Sequence, residues 1–343
     1  MKLHCIPILS ALFTSLVCFS NPATKISDNS PSSGIVIRWN DCEQTIDGFG
    51  IAQAGWAKEL FAFKNRKQVM DKMFGNDGLR LNILRGEIFP HYWENKEDKD
   101  FNLNDDINIE LCDSDFNNKS DDLLRRGQLW LTLEAKNKYH INKLVFSTWS
   151  APAWMKSNGK VSNGKLKPEC YQDFANYLAA FYKAYKSKGI TPYAISPSNE
   201  PGYAAPWNSS LWTADEMGKF ITSNLGPTFQ KENIPAKIIF GENPLWSVVM
   251  PQLKMVSSKD FTDTILQDYP EIKKFNLIAA GHGYSLSPDI MPIKVDKEYL
   301  KTPIIPFDAA EKAHIPVWIT EISDVTPLDT SIQDGLKLSL IHI

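Results

Sequence analysis

The sequence has few cysteines and lacks the spacings with which cysteine and histidine bind zinc. It contains five cysteines in 343 residues, and no two of them form a CxxC pair. Cys42, Cys112 and Cys170 remain once an apolar N-terminal segment is set aside. Because three is an odd number, at most one disulfide bridge forms within the chain. The sequence therefore predicts neither a structural zinc site nor a disulfide-built scaffold.

An excess of charge and a long hydrophobic run are also missing. The net charge is −3, so no basic surface predicts nucleic acid or an anionic membrane as a partner. The apolar stretch Ile6–Val17 is too short for a membrane span. It follows Lys2 and precedes small residues near Ser20, so residues 1–20 are predicted to be a cleavable signal peptide and the protein secreted or periplasmic. Residues 21–34 are polar and read as a disordered leader.

Strand-like apolar runs alternate with amphipathic segments over the rest of the chain, which predicts parallel βαβ units. No glycine-rich phosphate loop follows any of these strands, and this weakens the alternative of a doubly wound open sheet. The predicted strands are Asp47–Ile51, Leu79–Arg85, Lys143–Thr148, Pro192–Ser196, Lys237–Gly241, Leu277–Gly283 and Val317–Thr320. The predicted helices are Ala57–Phe74, Asp121–Tyr139, Pro168–Lys188 and Thr213–Lys231.

The fold class predicted from this order is α/β, a (β/α)8 TIM-type barrel that is incomplete at its C-terminus. Seven strands are recognisable where a closed barrel needs eight, and residues 335–343 read as the helix after the seventh strand. Residues 35–343 form the predicted catalytic barrel domain. Its first strand, Ile35–Trp39, has no partner in this count and is predicted to be the remnant of a side β-domain.

Two glutamates end predicted strands and are the candidate catalytic residues. Asn199, Glu200 and Pro201 follow the fourth strand, and Pro201 stops it because proline has no N–H to donate to a sheet. Glu321 ends the seventh strand. Active sites of TIM-type barrels lie at the C-terminal ends of the strands, so both carboxylates are expected at the barrel mouth. Glycoside hydrolysis uses such a pair, one protonated and one ionised.

Several segments, in this order, resemble glycoside hydrolase family 30. They are Gln44–Gly50 with Trp56 in the first-strand region, Leu81–Arg85 in the second, Phe146–Lys156 in the third, Asn199–Pro201 in the fourth and Gly281–Tyr284 in the sixth. The resemblance runs from about Ile35 to the end of the chain. It implies a retaining mechanism without metal or cofactor, in which Glu321 is the nucleophile and Glu200 the general acid/base.

The same resemblance implies substrate-binding roles for residues near this pair. Arg85 would keep Glu321 ionised, Tyr284 would orient it, and Asn199 would bond a sugar 2-hydroxyl. The sugar ring would lie against Trp149 and His282. The segment after Pro201, which carries Trp207, looks more like that of the polysaccharide-cleaving members of the family.

The substrate expectation is a carbohydrate, with a β-linked polysaccharide first and xylan the leading candidate. An exo-acting glucosylceramidase-like activity and a β-1,6-glucanase or β-1,6-galactanase activity are the alternatives. Two other classes stay open, a non-catalytic carbohydrate-binding protein and a non-functional fragment.

Overall fold

Eight parallel strands close into one barrel in the computed structural model of the protein. The structure describes residues 45–53, 56–90, 93, 95–98, 127–247, 256–283, 305–322 and 339–342, all within one compact unit, Gln44–Ile343. Each strand pairs in parallel with its two neighbours in chain order. The strands are β1 Phe49–Ala52, β2 Ile83–Ile88, β3 Lys143–Thr148, β4 Ala194–Ser196, β5 Lys237–Asn243, β6 Leu277–His282, β7 Val317–Glu321 and β8 Ser339–His342. The TIM-type fold and all seven predicted strands are confirmed.

The prediction that the barrel lacks its eighth strand was wrong. Residues 339–342 form β8, which pairs with β7 on one side and with β1 on the other. Phe49 lies opposite Leu340, and Trp318 lies opposite Ser339. A short apolar run is ambiguous between helix and strand when it is read alone. Here the backbone groups along the open edges of β1 and β7 decide its conformation, because they need hydrogen-bonding partners.

Of the α-helices in the described residues, the first six lie within the predicted segments, with interruptions that the sequence pattern did not show, and the last two lie outside those segments. The helices are α1 Ala57–Ala62, α2 Arg66–Phe74, α3 Gly127–Tyr139, α4 Tyr171–Ser187, α5 Ala214–Phe220, α6 Gly226–Lys231, α7 Ser258–Asp268 and α8 Asp308–Lys312. A π-helical turn, Ile221–Leu225, joins α5 to α6, where the N–H of Gly226 donates to the carbonyl of Ile221. Pro227, next in line, has no N–H for an α-helical bond. Among the described residues, no helix combines the length and the apolar character that a membrane span needs.

Two apolar layers lie on opposite sides of the sheet. The barrel interior is filled by Ala52, Ile83, Val145, Ala194, Ile239, Ile278, Ala280 and Trp318. The larger layer packs between the outer face of the strands and the helices. Because side chains alternate along a strand, the residue two positions after each interior residue also faces inward. That rule places Arg85, Ser147 and His282 directly above the interior layer, at the mouth of the barrel.

Some predicted features lie outside the described residues. These are the signal peptide, the leader, the strand Ile35–Trp39, Cys42, Cys112 and Tyr284. Cys170, at the start of α4, is buried and is a free thiol.

Candidate active site

Arg85 is the centre of the polar cluster at the barrel mouth. Its side chain is fully buried, and its planar fork spans strands that are far apart in sequence. A guanidinium presents five N–H donors in fixed directions, so it can hold several acceptors at once. Its contacts are Nη1 to Glu321 Oε2 at 2.7 Å, Nη2 to Asn199 Oδ1 at 2.6 Å, Nη2 to Glu242 Oε1 at 3.2 Å and Nε to Ser147 Oγ at 3.2 Å.

Glu200 lies in a tight turn just after β4. The backbone N–H of Asn199 donates to the carbonyl of Thr148 at 2.7 Å, and that of Glu200 donates to the carbonyl of Glu242 at 3.1 Å. The φ angle of Glu200 is +49°, a region that non-glycine residues occupy uncommonly. Such strained residues concentrate at functional sites, where the surroundings hold them in place. Both Asn199 and Glu200 are buried, as the predicted position at the barrel mouth requires.

Glu321 reaches the interior through a break in strand register. Trp318 belongs to the interior layer and Ile319 to the outer one, so simple alternation would turn Glu321 outward. The pairing of β6 with β7 shifts after Gly281–Ile319, and His282 lies opposite Glu321. Bulges of this kind redirect a side chain next to active sites. The shift brings Glu321 to the inner face, where it bonds Arg85.

His282 connects the two glutamates. Its Nδ1 atom lies 3.2 Å from Glu200 Oε1 and 3.9 Å from Glu321 Oε1. One ligand atom from each of these three residues lies within 4.8 Å of the others, so an oxygen of Glu200 is within 4.8 Å of an oxygen of Glu321. The two predicted glutamates therefore form one compact pair.

The electrostatics of the pair favour a proton on Glu200. Burial raises the pKa of Glu200 above its ordinary value, and the charge of Glu321 adds to this, although His282 and Arg85 oppose it. Burial disfavours the imidazolium of His282, but the charge of Glu321 and the hydrogen bond with Glu200 outweigh burial and raise the pKa of His282. Glu321, in contrast, is held by the guanidinium of Arg85, which favours its charged form.

Glu242 is a third buried carboxylate that the sequence analysis did not select. It is fully buried at the end of β5, bonds Arg85, and accepts from Ser147 Oγ at 3.1 Å. The signal was present, because Glu242 directly follows the predicted strand Lys237–Gly241. The rule that selected Glu200 and Glu321, a carboxylate at a strand end, applies to it equally.

The predicted binding residues are distributed unevenly. The indole of Trp149 is partly buried, with the guanidinium carbon of Arg85 4.8 Å from its ring centroid. Trp149, Asn199 and His282 therefore belong to the cluster. Trp207 lies on the loop after β4, where it is 52% exposed and packs edge-to-face against Tyr203 at 6.2 Å.

A buried lysine ties together the loops that follow β3 and β4. The Nζ group of Lys156 donates to Ser150 Oγ at 3.1 Å and to the carbonyl of Ser209 at 2.6 Å. The side chain is fully buried, and burial lowers the pKa of Lys156 to about 8. The loop that carries Trp207 is thereby fixed to the segment that begins at Trp149.

Within the described ranges, Glu200, His282 and Glu321 are the one group of acidic, histidine or cysteine side chains close enough to hold a metal ion. The guanidinium of Arg85 already bonds Glu321 at 2.7 Å. Its positive charge would compete with a cation for that carboxylate.

The fold and the site together define the class of this protein. It is a (β/α)8-barrel protein with a close carboxylate pair at the C-terminal mouth of the barrel, in which a histidine lies between the two carboxylates and an arginine bonds one of them. The family model described as the glycosyl hydrolase family 30 TIM-barrel domain matches residues 46–273. The chain belongs to that family.

Curated relatives support the same placement. The chain is 30% identical over 251 residues to putative glucosylceramidase 3 of Caenorhabditis elegans, and the matched region covers 70% of this chain and 45% of the relative. It is 28% identical over 237 residues to the endo-1,6-β-D-glucanase of Neurospora crassa, and the matched region covers 64% of this chain and 45% of that enzyme. The chain therefore spans about half the length of the curated relatives it matches.

A solved structure shows the same fold. The catalytic domain of the family 30 xylanase C from Talaromyces cellulolyticus superposes with a TM-score of 0.62 at 21% identity, covering 87% of this chain and 67% of that domain.

Proposed function

We propose that the protein is a retaining β-glycoside hydrolase in which Glu321 is the nucleophile and Glu200 the general acid/base. The observation that carries this proposal is the separation of the two carboxylates, whose nearest ligand oxygens lie within 4.8 Å. Retaining glycosidases place their carboxyl groups about 5 Å apart, whereas inverting ones leave roughly 6.5–9.5 Å for a water molecule. Family membership supports the same reaction.

The reaction proceeds in two displacements. In the first, a Glu321 oxygen attacks the anomeric carbon while the bond to the glycosidic oxygen breaks, and Glu200 donates its proton to that oxygen. In the second, water attacks the same carbon, the bond to Glu321 breaks, and Glu200 takes up a proton from the water. The raised pKa of Glu200 suits the first role, because the acid must hold its proton at the working pH.

The contacts of Glu321 divide its two oxygens between different roles. Arg85 bonds Oε2 at 2.7 Å, whereas Oε1 lies on the side of His282 at 3.9 Å. We assign the attack on the sugar to Oε1, on the side of His282, while the bond to Arg85 keeps Oε2 fixed. The side-chain oxygen of Asn199 accepts a hydrogen bond from Arg85, so its side-chain NH2 group is the donor for a sugar hydroxyl.

The remaining binding roles follow from position. The partly buried ring of Trp149, next to Arg85, forms one wall for the reacting sugar, and His282 lies between the two catalytic glutamates. Tyr284 follows β6 in sequence, and its role in orienting Glu321 remains a prediction.

The substrate we propose is a β-linked polysaccharide, and secretion to the outside of the cell suits that substrate. Trp207 supports it, because a large aromatic ring half open to solvent, seven residues after the acid Glu200, suits stacking with a sugar on the leaving-group side. Xylan and β-1,6-linked glucan or galactan are the candidates. Glucosylceramide is the alternative, suggested by the name of the Caenorhabditis elegans relative.

The test is a panel of purified substrates with product analysis. It contains aryl β-glycosides, xylan, β-1,6-glucan, β-1,6-galactan and glucosylceramide in vesicles, with Glu321→Gln as the inactive control. The first-formed sugar, followed by NMR, is expected to be the β-anomer. Release of the α-anomer would refute the retaining mechanism, and binding without turnover by the wild type would favour the non-catalytic alternative.

Trp207 has its own test within the panel. Because Trp207 contacts only the leaving-group side in this proposal, Trp207→Ala should lower kcat/KM on the polysaccharide roughly tenfold and leave a small aryl glycoside nearly unchanged. Phe63→Ala removes a ring of similar exposure just after α1 and serves as the control. An equal loss on both kinds of substrate would contradict this role.

A further inference from the structure

Glu242 lies where the pairing of β5 with β6 is interrupted. Gly241 is opposite Ala280 and Asn243 is opposite Gly281, so Glu242 is the extra residue of a bulge. The φ angles are +106° at Gly241 and +44° at Glu242. Ile239 faces the interior, and alternation alone would turn Glu242 toward the helices. The bulge instead turns the carboxylate of Glu242 inward. The backbone of Glu242 is strained in this conformation, and such strain is typical of residues whose side chains must point in one particular direction.

The carboxylate of Glu242 completes the setting of Arg85. The guanidinium is shared between Glu242 Oε1 at 3.2 Å and Glu321 Oε2 at 2.7 Å, and Ser147 bonds both Arg85 and Glu242. With a carboxylate on each side, the planar fork is held in one orientation. Without Glu242, Glu321 would be the one carboxylate bonded to the guanidinium, and the charge on the Glu242 side of the fork would be lost.

The end of β5 also holds the loop that carries Glu200. The carbonyl of Glu242 accepts the N–H of Glu200 at 3.1 Å, and Asn243 Oδ1 accepts the N–H of Gly202 at 2.7 Å. The bulged segment thus contacts the acid through its backbone and the nucleophile through Arg85.

The charge of Glu242 alters the proton balance of the whole site. The charged group in contact with the Glu242 carboxylate is Arg85 on β2, which also bonds Glu321 on β7, and the backbone carbonyl of Glu242 accepts the N–H of Glu200. With Glu242 and Glu321 ionised and Arg85 positive, the buried cluster carries −1 when the Glu200–His282 pair holds one proton. Loss of that proton would increase the buried charge to −2, which a low-dielectric site disfavours. If position 242 were neutral, the same loss would only change the charge from 0 to −1.

We propose that Glu242 is a positioning residue, which fixes Arg85 between two carboxylates and, through its buried negative charge, keeps the catalytic proton on the Glu200–His282 pair. This inference rests on the proposed function for its catalytic consequence. The effect on proton affinity is independent of turnover and can be measured separately.

The test is Glu242→Gln, which keeps the shape and an acceptor oxygen but removes the charge. The titration midpoint of His282, followed by NMR of labelled histidine and assigned with His282→Asn, is expected to fall by roughly one pH unit. The alkaline limb of kcat/KM should move to lower pH by a similar amount. Glu232→Gln, which removes a carboxylate paired with Lys183 on the outer helices, is the matched control and should shift neither.

Glu242→Asp separates charge from shape. It keeps the negative charge, so the His282 midpoint should lie close to that of the wild type. Its side chain is too short to hold Arg85 in place, so kcat should be lower than in the wild type. If Glu242→Gln does not fold, Ser147→Ala tests the positioning role, because it removes the hydroxyl that bonds both Glu242 and Arg85 and should lower kcat while the His282 midpoint stays close to that of the wild type.

A His282 midpoint that is unchanged in Glu242→Gln, or a kcat that is unchanged in Ser147→Ala, would overturn the inference. A loss of kcat/KM in Glu242→Gln by the same factor at every pH would also overturn it, because the alkaline limb would then not have moved. If the wild type turns over none of the substrates but the midpoint shifts as expected, the proposed function fails and the role of Glu242 in holding the proton stands.

Discussion

Replacement of Arg85 by methionine tests the polar cluster as a unit. The side chain is fully buried and bonds Glu321, Glu242, Asn199 and Ser147. Arg85→Met leaves two buried carboxylates without a cation. Removing one partner from a buried ion pair costs about 3–5 kcal/mol in the free energy of unfolding. We expect a loss in the upper part of that range, because two carboxylates lose their partner together.

The double variant Arg85→Met with Glu242→Gln makes the expectation specific. Glu242→Gln alone weakens one charged hydrogen bond, which costs about 1.5–3 kcal/mol. In the Arg85→Met background the same change removes an uncompensated buried charge, so it should cost nothing or restore stability. The coupling between the two changes is then about 1.5 kcal/mol or more.

The assay is urea unfolding followed by circular dichroism, with a check that two probes give coincident transitions. Arg85→Met with Glu232→Gln is the control pair, and its effects should add within about 0.5 kcal/mol. Additive effects of Arg85→Met and Glu242→Gln would refute the reasoning, because the contacts seen between the two residues would then carry no coupling. A cooperative transition of the wild type would also count against the alternative of a fragment that makes no stable protein.

The remaining predictions concern the acid, a buried lysine and the bulge. Because burial raises the pKa of Glu200, kcat/KM should fall as the pH rises through that pKa. Glu200→Gln should lack this alkaline limb and should spare the first step on substrates with good leaving groups, whereas Glu321→Gln should abolish turnover of all substrates. An equal loss in both variants on activated and natural substrates would contradict the assigned roles. The pKa of Lys156 is lowered from 10.5 to about 8, so the unfolded state holds more protons between these two pH values. The free energy of unfolding should therefore rise with pH by up to ~3 kcal/mol over this range. Urea unfolding at several pH values should show this rise in the wild type and not in Lys156→Met. Gly241→Ala would place a Cβ 2.2 Å from the carbonyl oxygen of Ala280 at a φ of +106°, so thermal unfolding should show a loss of about 1–3 kcal/mol, and wild-type stability would mean that the bulge is not strained.

The sequence alone predicted seven of the eight described strands of the barrel and the position of Glu200 and Glu321 at strand ends. Alternation of apolar runs with amphipathic segments is a local pattern, and it gave seven strands that the structure confirms. Asn199, Glu200 and Glu321 were found because chemistry in a parallel barrel lies at the ends of strands. Glu242 obeys the same rule, and its place immediately beyond a predicted strand was the signal that was passed over.

The tertiary structure decided which side chains face one another. Strand β8 forms because β1 and β7 leave open edges for it, and no local pattern in residues 339–342 requires that. Glu242 and Glu321 both turn inward through register shifts against β6, against the alternation that their own strands would impose. The Arg85 fork joins β2 to β7 across 236 residues of chain. Contacts of this kind depend on how neighbouring strands pair, and pairing is a property of the closed sheet rather than of any one segment.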